Sequence, residues 1–93
     1  MAWLLAPLYD RFLAPAEEAS FGAWRTELLA DLSGTVVEIG AGTGANVAHY
    51  PPTVERLVLT EPDPGMRLRL LDKVAERRLG PGPAPAPIEV RAV

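Results

Sequence analysis

The fold of this chain is limited most strongly by one sequence feature. A short run rich in β-branched residues is followed directly by three glycines at every second position. Residues 35–39, Thr-Val-Val-Glu-Ile, are typical of a strand that is buried on both faces of a parallel sheet. Residues 40–44, Gly-Ala-Gly-Thr-Gly, follow at once, and glycine permits a sharp turn and close approach of a ligand to the backbone. We therefore predict a strand, a tight glycine turn and a short helix over residues 45–50.

The remainder of the chain continues this alternation. The pattern predicts a buried strand over residues 57–60, a helix over 63–79, a proline-rich linker over 80–87 and a half-buried strand over 88–93. Strands that alternate with helices are joined by crossovers and form parallel sheets. The fold class predicted is therefore α/β, a Rossmann-like parallel sheet with strand order 3-2-1 and flanking helices.

We predict two parts in the chain. Residues 1–34 form an N-terminal helical segment, and residues 35–93 form a partial ligand-binding domain. Residues 1–15 are read as a short helix or turn. Residues 16–32 have the spacing of an amphipathic helix, followed by Gly34 as a stop. The predicted apolar stripe of this helix is Phe21, Trp24, Leu28 and Leu32.

Composition excludes several classes of function. The 93 residues include no cysteine and one histidine, which excludes disulfides and thiolate metal sites and makes a metal centre unexpected. Apolar residues make up 48% of the chain and the net charge is −3, values typical of a folded globular domain without an electrostatic footprint for nucleic acid. The apolar start lacks the basic residues of a signal peptide and the length of a membrane span, so we expect a cytoplasmic protein.

The glycine turn has two possible ligands. Gly40-x-Gly42-x-x-Ala45 fits the fingerprint of dinucleotide-binding proteins, in which a pyrophosphate rests on the turn. Glu38, two residues before the first glycine, would repel a pyrophosphate and attract a cation. Glu61 follows Gly40 by roughly twenty residues, the spacing at which an acid contacts ribose hydroxyls. These features favour a cationic ligand that carries an adenosyl group.

The segments Val36–Gly44 and Leu59–Met66 resemble the first two motifs of class I S-adenosylmethionine-dependent methyltransferases. Residues Asn46–Pro52 further resemble the small stand-alone members of that family, of the ubiquinone or menaquinone methyltransferase type. The resemblance implies that S-adenosylmethionine is the cofactor and methyl transfer the activity. It implies these cofactor-binding residues: Glu38, Gly40, Ala41, Gly42, Gly44, Glu61, Pro62 and Met66.

The resemblance also implies a role for each residue. Glu38 would lie near the amino group of the cofactor, and the glycine turn would line its methionine part. Glu61 would accept hydrogen bonds from the two ribose hydroxyls, with Pro62 and Met66 beside the adenine. No catalytic residue is implied, and His49, at the end of the predicted short helix, is given a structural role.

Members of this family continue past the third strand with further strands and with substrate-binding elements. We therefore expect the truncated first half of a seven-stranded fold, inactive alone, with an unpaired edge on the strand at 35–39. The small-molecule substrate stays unidentified. Two alternatives remain open: a fragment of an NAD(P)-dependent oxidoreductase, and a non-catalytic half-domain that binds a partner chain through the unpaired edge.

Overall fold

The computed structural model describes the backbone of residues 2–5 and 18–93, and the side chains from residue 22 onward. Within these residues, four strands alternate with two α-helices and one short 3-10 turn. The elements are β1 (Ala2–Leu5), α1 (Glu18–Leu29), β2 (Gly34–Ile39), the 3-10 turn (Val47–His49), β3 (Val54–Thr60), α2 (Pro64–Leu79) and β4 (Ile88–Arg91).

The described strands form one parallel sheet in the order β1-β2-β3-β4. The three strands predicted from the sequence are β2, β3 and β4, and they are neighbours in the predicted order. The α/β class with flanking helices is therefore confirmed. In a parallel sheet the carboxyl ends of neighbouring strands meet at one edge, which brings the glycine turn after β2 beside the end of β3.

β1 lies on the edge of β2 that we expected to be unpaired. Ala2 is in register with Val36, and Leu5 with Ile39. The prediction of a helix or turn is thus wrong for residues 2–5, and the expected unpaired edge of β2 is wrong as well. Pairing with β1 provides hydrogen-bond partners for backbone groups of β2 that would otherwise lack them. The rest of the segment predicted over residues 1–15 lies outside the described residues.

One face of the sheet carries the main apolar core. The register places Val36 beside Leu57 and, one layer further along, Glu38 beside Leu59. Leu57 and Leu59 are buried against Leu70 and Val74 of α2. Because side chains alternate along a strand, Glu38 projects from the same face as Val36, toward this core. A carboxylate is therefore placed at the end of the apolar layer.

α1 buries a different face from the one predicted. Trp24 and Leu28 are 41% and 53% exposed, whereas Arg25 and Leu29 are 5% and 1% exposed. The predicted stripe is therefore wrong at Trp24 and Leu28, although Leu32 does pack against the core. The buried face is rotated by about one residue, and on it Arg25 donates a hydrogen bond to Asn46 inside the fold. Apolar periodicity does not alone decide which side is covered. The Phe21 side chain lies outside the described residues.

Candidate functional site

The glycine turn requires glycine at three positions. Gly40, Gly42 and Gly44 have φ angles of 69°, 63° and 91°, a left-handed region that other residues rarely adopt. The turn is held to the end of β3, where the Ala41 amide donates to the Thr60 carbonyl at 2.7 Å. The sequence pattern thus has a direct conformational cause.

The three glycines differ in what surrounds them. A Cβ added at Gly40 or Gly42 would meet no atom within 4 Å, so the backbone there is open to approach. A Cβ at Gly44 would lie 3.0 Å from Lys73 Cβ and 3.1 Å from Leu70 Cδ1. The first two positions therefore leave room beside the turn, and the third allows the turn to pack on α2.

Glu61 joins the two sequence motifs. It follows β3 directly, is 2% exposed, and its Oε1 accepts a hydrogen bond from the Gly42 amide at 2.8 Å. Its Oε2 accepts from the Asp63 amide at 2.9 Å. A buried carboxylate needs such donors, and charge-assisted hydrogen bonds of this length are among the stronger ones. The predicted acid and the predicted glycine turn are therefore in direct contact.

Two further predicted residues, Pro62 and Met66, follow Glu61 in the chain, Pro62 directly and Met66 in the first turn of α2. Asp63 caps the helix through a 2.8 Å hydrogen bond from the Met66 amide to its Oδ2. Arg67 Nη1 donates to the Glu61 carbonyl at 3.0 Å and to the Pro62 carbonyl at 3.1 Å. Pro62 is exposed and Met66 half-buried, so both are accessible at this end of the sheet.

Glu38 is enclosed by polar groups that come after the turn. Its side chain is 1% exposed. Asn46 Nδ2 donates to Glu38 Oε2 at 3.2 Å, and the Tyr50 hydroxyl donates to Oε1. Arg25 Nη1 in turn donates to Asn46 Oδ1 at 2.9 Å. The carboxylate predicted to attract a cation is thus fixed in a buried network that reaches α1.

Two titratable groups of this region have shifted pKa values. Burial, together with the charge and hydrogen bond of Glu38, raises the pKa of Tyr50 well above its usual range, so the phenol stays protonated. Burial and the nearby Arg25 charge lower the pKa of His49. His49 Nδ1 lies 2.9 Å from the Thr26 hydroxyl, so this histidine connects the 3-10 turn to α1.

The predicted helix over residues 45–50 is largely absent. The chain instead forms a series of turns and a 3-10 turn of three residues, Val47–His49, which ends at Tyr50 before Pro51. Residues before proline are driven away from helical backbone angles, which accounts for the early end. The backbone amides after the glycine turn are therefore less well aligned than those at the start of a full α-helix would be.

Two cavities lie apart from all but one of the predicted cofactor residues. One of about 830 Å³ lies between α1, the 3-10 turn and the C-terminal half of α2, and one of about 500 Å³ lies near the proline-rich linker. Of the eight predicted cofactor residues, only Gly44 lines either of them. The candidate site is therefore defined by polar groups at the strand ends, not by either cavity.

The predicted site does not include Arg25, Asn46 or Tyr50. Asn46 and Tyr50 are four residues apart, a spacing that returns side chains to one side of a helical turn, and this signal could have linked them to Glu38. Arg25 gives no comparable signal, since a charged residue in an amphipathic helix is ordinarily assigned to the exposed face.

The part of the chain that the structure describes contains no group of three or more His, Asp or Glu able to hold a metal ion. Over residues 2–5 and 18–93, no helix has both the length and the apolar character needed to cross a bilayer. Comparison with protein-family models, with curated proteins and with solved structures gave no match.

Proposed function

We propose that this chain binds S-adenosylmethionine at the carboxyl ends of β2 and β3, as the cofactor-binding part of a Rossmann-like methyltransferase. The observation that carries the proposal is the hydrogen bond between Glu61 and the Gly42 amide. It brings together a buried carboxylate and a glycine turn with open space beside it. The carboxylate is suited to ribose hydroxyls and the open backbone to the rest of an adenosyl ligand.

Charge favours a cationic ligand over a pyrophosphate. Glu38, Glu61 and Asp63 cluster at the ends of two neighbouring strands. Three carboxylates against two guanidinium groups, those of Arg25 and Arg67, leave this end net negative, which disfavours the pyrophosphate of a dinucleotide. The 3-10 turn after the glycines is also too short to offer the aligned amides of a helix N-terminus. The sulfonium and ammonium groups of S-adenosylmethionine meet no such penalty. This supports the methyltransferase assignment over the NAD(P)-dependent one.

Bound S-adenosylmethionine would supply an already activated methyl group, so that transfer depends on aligning a nucleophile with it. In this proposal the residues of this chain hold the cofactor. Glu61 binds the ribose, the open backbone at Gly40 and Gly42 accommodates the methionine part, and Pro62 with Met66 lies beside the adenine. The edge of β2 to which the partner-binding alternative assigned the partner is paired with β1.

Isothermal titration calorimetry of the whole chain with S-adenosylhomocysteine and with NAD tests this proposal. We expect S-adenosylhomocysteine to bind and NAD to bind much more weakly. Glu61→Gln should weaken S-adenosylhomocysteine binding about tenfold or more, because one carboxylate acceptor is lost. Glu55→Gln, at an exposed position near the start of β3, the strand that Glu61 follows, should leave binding unchanged. Tighter binding of NAD, or equal binding by both variants, would refute the assignment.

A further inference from the structure

The larger of the two cavities meets the glycine turn without including the acids at the strand ends. Thr43, Gly44 and Ala45 form one part of its wall, and none of the three acids that cluster at the ends of β2 and β3 lines it. Its volume of about 830 Å³ is within the range of pockets that take small molecules. The negative charge that disfavours a pyrophosphate at the strand ends is therefore not part of this cavity.

The turn contributes hydrogen-bond donors to the wall of this cavity. Gly44 is satisfied within the turn, since its amide donates to the Ala41 carbonyl at 3.2 Å. The Thr43 and Ala45 amides and the Thr43 hydroxyl have no hydrogen-bond partner among the residues that the structure describes. Both residues are half-buried. Donors at such positions are normally paired, so they favour a ligand that accepts hydrogen bonds.

α2 contributes positive charge to the same wall. Lys73 and Arg77 are four residues apart, which places them on one face of the helix, and both line the cavity. Lys73 lies against the turn, because a Cβ added at Gly44 would come within 3.0 Å of Lys73 Cβ. Lys73 Nζ forms an exposed ion pair with Glu76 Oε2 at 3.9 Å. The half-buried Arg77 side chain has no ion pair or hydrogen bond to the described part of the chain, so its donors remain for a ligand.

The charge of the described wall is mainly positive. Arg25 also lines the cavity and is buried, with its Nη1 hydrogen-bonded within the fold. Arg25, Lys73 and Arg77 thus provide three positive charges, and the described wall has one carboxylate, that of Glu76. His49 adds no charge at neutral pH, because burial and the Arg25 charge lower its pKa. The described wall therefore favours an anion.

We propose that this cavity binds a small organic phosphate, which Arg77 recognises through its guanidinium group and the Thr43 and Ala45 amides through hydrogen bonds. A guanidinium presents its N–H groups in a plane that matches the oxygens of a phosphate. A phosphate monoester carries nearly two negative charges at neutral pH, so a wall with excess positive charge favours it over a singly charged carboxylate. This site is separate from the proposed cofactor site and does not depend on it.

Three sugar derivatives of similar size test the proposal. Glucose 6-phosphate carries a phosphate, gluconate a carboxylate, and glucose no charge. In nuclear magnetic resonance titrations of the whole chain, we expect glucose 6-phosphate to bind and to shift the amide signals of Thr43 and Ala45. Gluconate should bind about fivefold more weakly or less, and glucose should shift neither signal.

Two variants of α2 test the role of Arg77. Arg77→Gln should weaken glucose 6-phosphate binding about tenfold, because a charged donor is lost. Arg69→Gln is the matched control, since it removes the same charge from an exposed position of the same helix that lines neither cavity. It should leave the affinity unchanged, and far-ultraviolet circular dichroism checks that both variants fold.

The possible outcomes separate this site from its alternatives. No binding of glucose 6-phosphate, or equal affinities in the two variants, would refute the site. Arg77 also lines the cavity near the proline-rich linker, so shifts centred on Ala84 and Ala86 would place the anion there and refute the assignment. Binding of gluconate as tight as that of glucose 6-phosphate would refute the preference for phosphate. A failure to bind S-adenosylhomocysteine would refute the proposed function alone.

Discussion

The Oε1 atom of Glu61 lies 2.8 Å from the amide nitrogen of Gly42, across the junction between β3 and the turn that follows β2. Two segments that are distant in sequence are thereby held at one end of the sheet. The contact serves the fold and the candidate site together, since a residue that locks the turn also presents a carboxylate there. Its loss should therefore affect stability even without any ligand.

Glu61→Ala should lower the free energy of unfolding by about 2 to 4 kcal/mol, because the Gly42 and Asp63 amides lose their partner. Urea unfolding followed by circular dichroism measures this change. Glu55→Ala, at an exposed position of β3, is the control and should lower the free energy of unfolding much less. If both variants lose the same free energy of unfolding, the buried carboxylate of Glu61 does not stabilise the fold more than an exposed one.

Substitutions at the glycines should follow the differences in their surroundings. Gly42→Ala should cost about 1 to 2 kcal/mol, because alanine is strained at a φ of 63°. Gly44→Ala should cost more, about 2 to 4 kcal/mol, since its Cβ would also press on Lys73 and Leu70. Gly65→Ala, in the first turn of α2, should be neutral or stabilising. Urea midpoints that reverse this order would contradict the turn geometry.

Leu70→Ala should destabilise the protein by about 2 to 5 kcal/mol, because the side chain is fully buried against the sheet and its removal leaves a cavity. Leu68→Ala removes the same atoms from the same helix at a position that is 66% exposed, and should cost less than about 1 kcal/mol. Thermal unfolding of both variants measures the difference. Similar losses would mean that α2 packs through another face.

Deletion of Ala2–Leu5 should convert the protein into oligomers or aggregates, because it exposes the backbone edge of β2. Size-exclusion chromatography with light scattering gives the mass of the species formed. Deletion of Ala92 and Val93, which follow β4 and lie outside the sheet, should leave the elution volume unchanged. A shortened chain that elutes as a stable monomer would contradict the role given to β1.

Stability should fall at high pH through Tyr50. The pKa of its phenol is raised in the folded protein, while in the unfolded chain it ionises near pH 10. The stability that the protonated phenol contributes is fully present below about pH 10. Above that pH the unfolded chain releases the phenol proton and the folded protein keeps it. The free energy of unfolding should then fall by about 1.4 kcal/mol per pH unit more than in Tyr50→Phe. Parallel slopes for the two proteins between pH 9 and 11 would argue against a buried phenol.

The sequence predicted best the elements in which local chemistry and tertiary packing agree. β2, β3 and the glycine turn combine β-branched runs with glycines that need positive φ, and both signals are local. β1 was missed because an apolar run of four residues fits a helix as well as a strand until its neighbour is known. The choice depends on β2, which lies far along the chain.

The candidate site was predictable in its acids and glycines but not in the groups that hold Glu38. The network through Asn46 and Arg25 depends on where α1 docks, and a buried arginine runs against the ordinary assignment of charge to the surface. The face of α1 was mispredicted for the same reason. The face that α1 buries carries Arg25 and Leu29 in place of Trp24 and Leu28.

The parallel pairing of β1 with β2 has a consequence for biosynthesis. Ala2–Leu5 are translated well before the residues that accept them in the sheet. During that interval this apolar tetrapeptide lacks the strand with which it pairs. Contacts between segments that are distant in sequence also form slowly. The apolar segment Ala2–Leu5 therefore stays unpaired during synthesis until β2 has been made, and a chaperone that binds apolar segments over that interval would raise the yield of correctly folded protein.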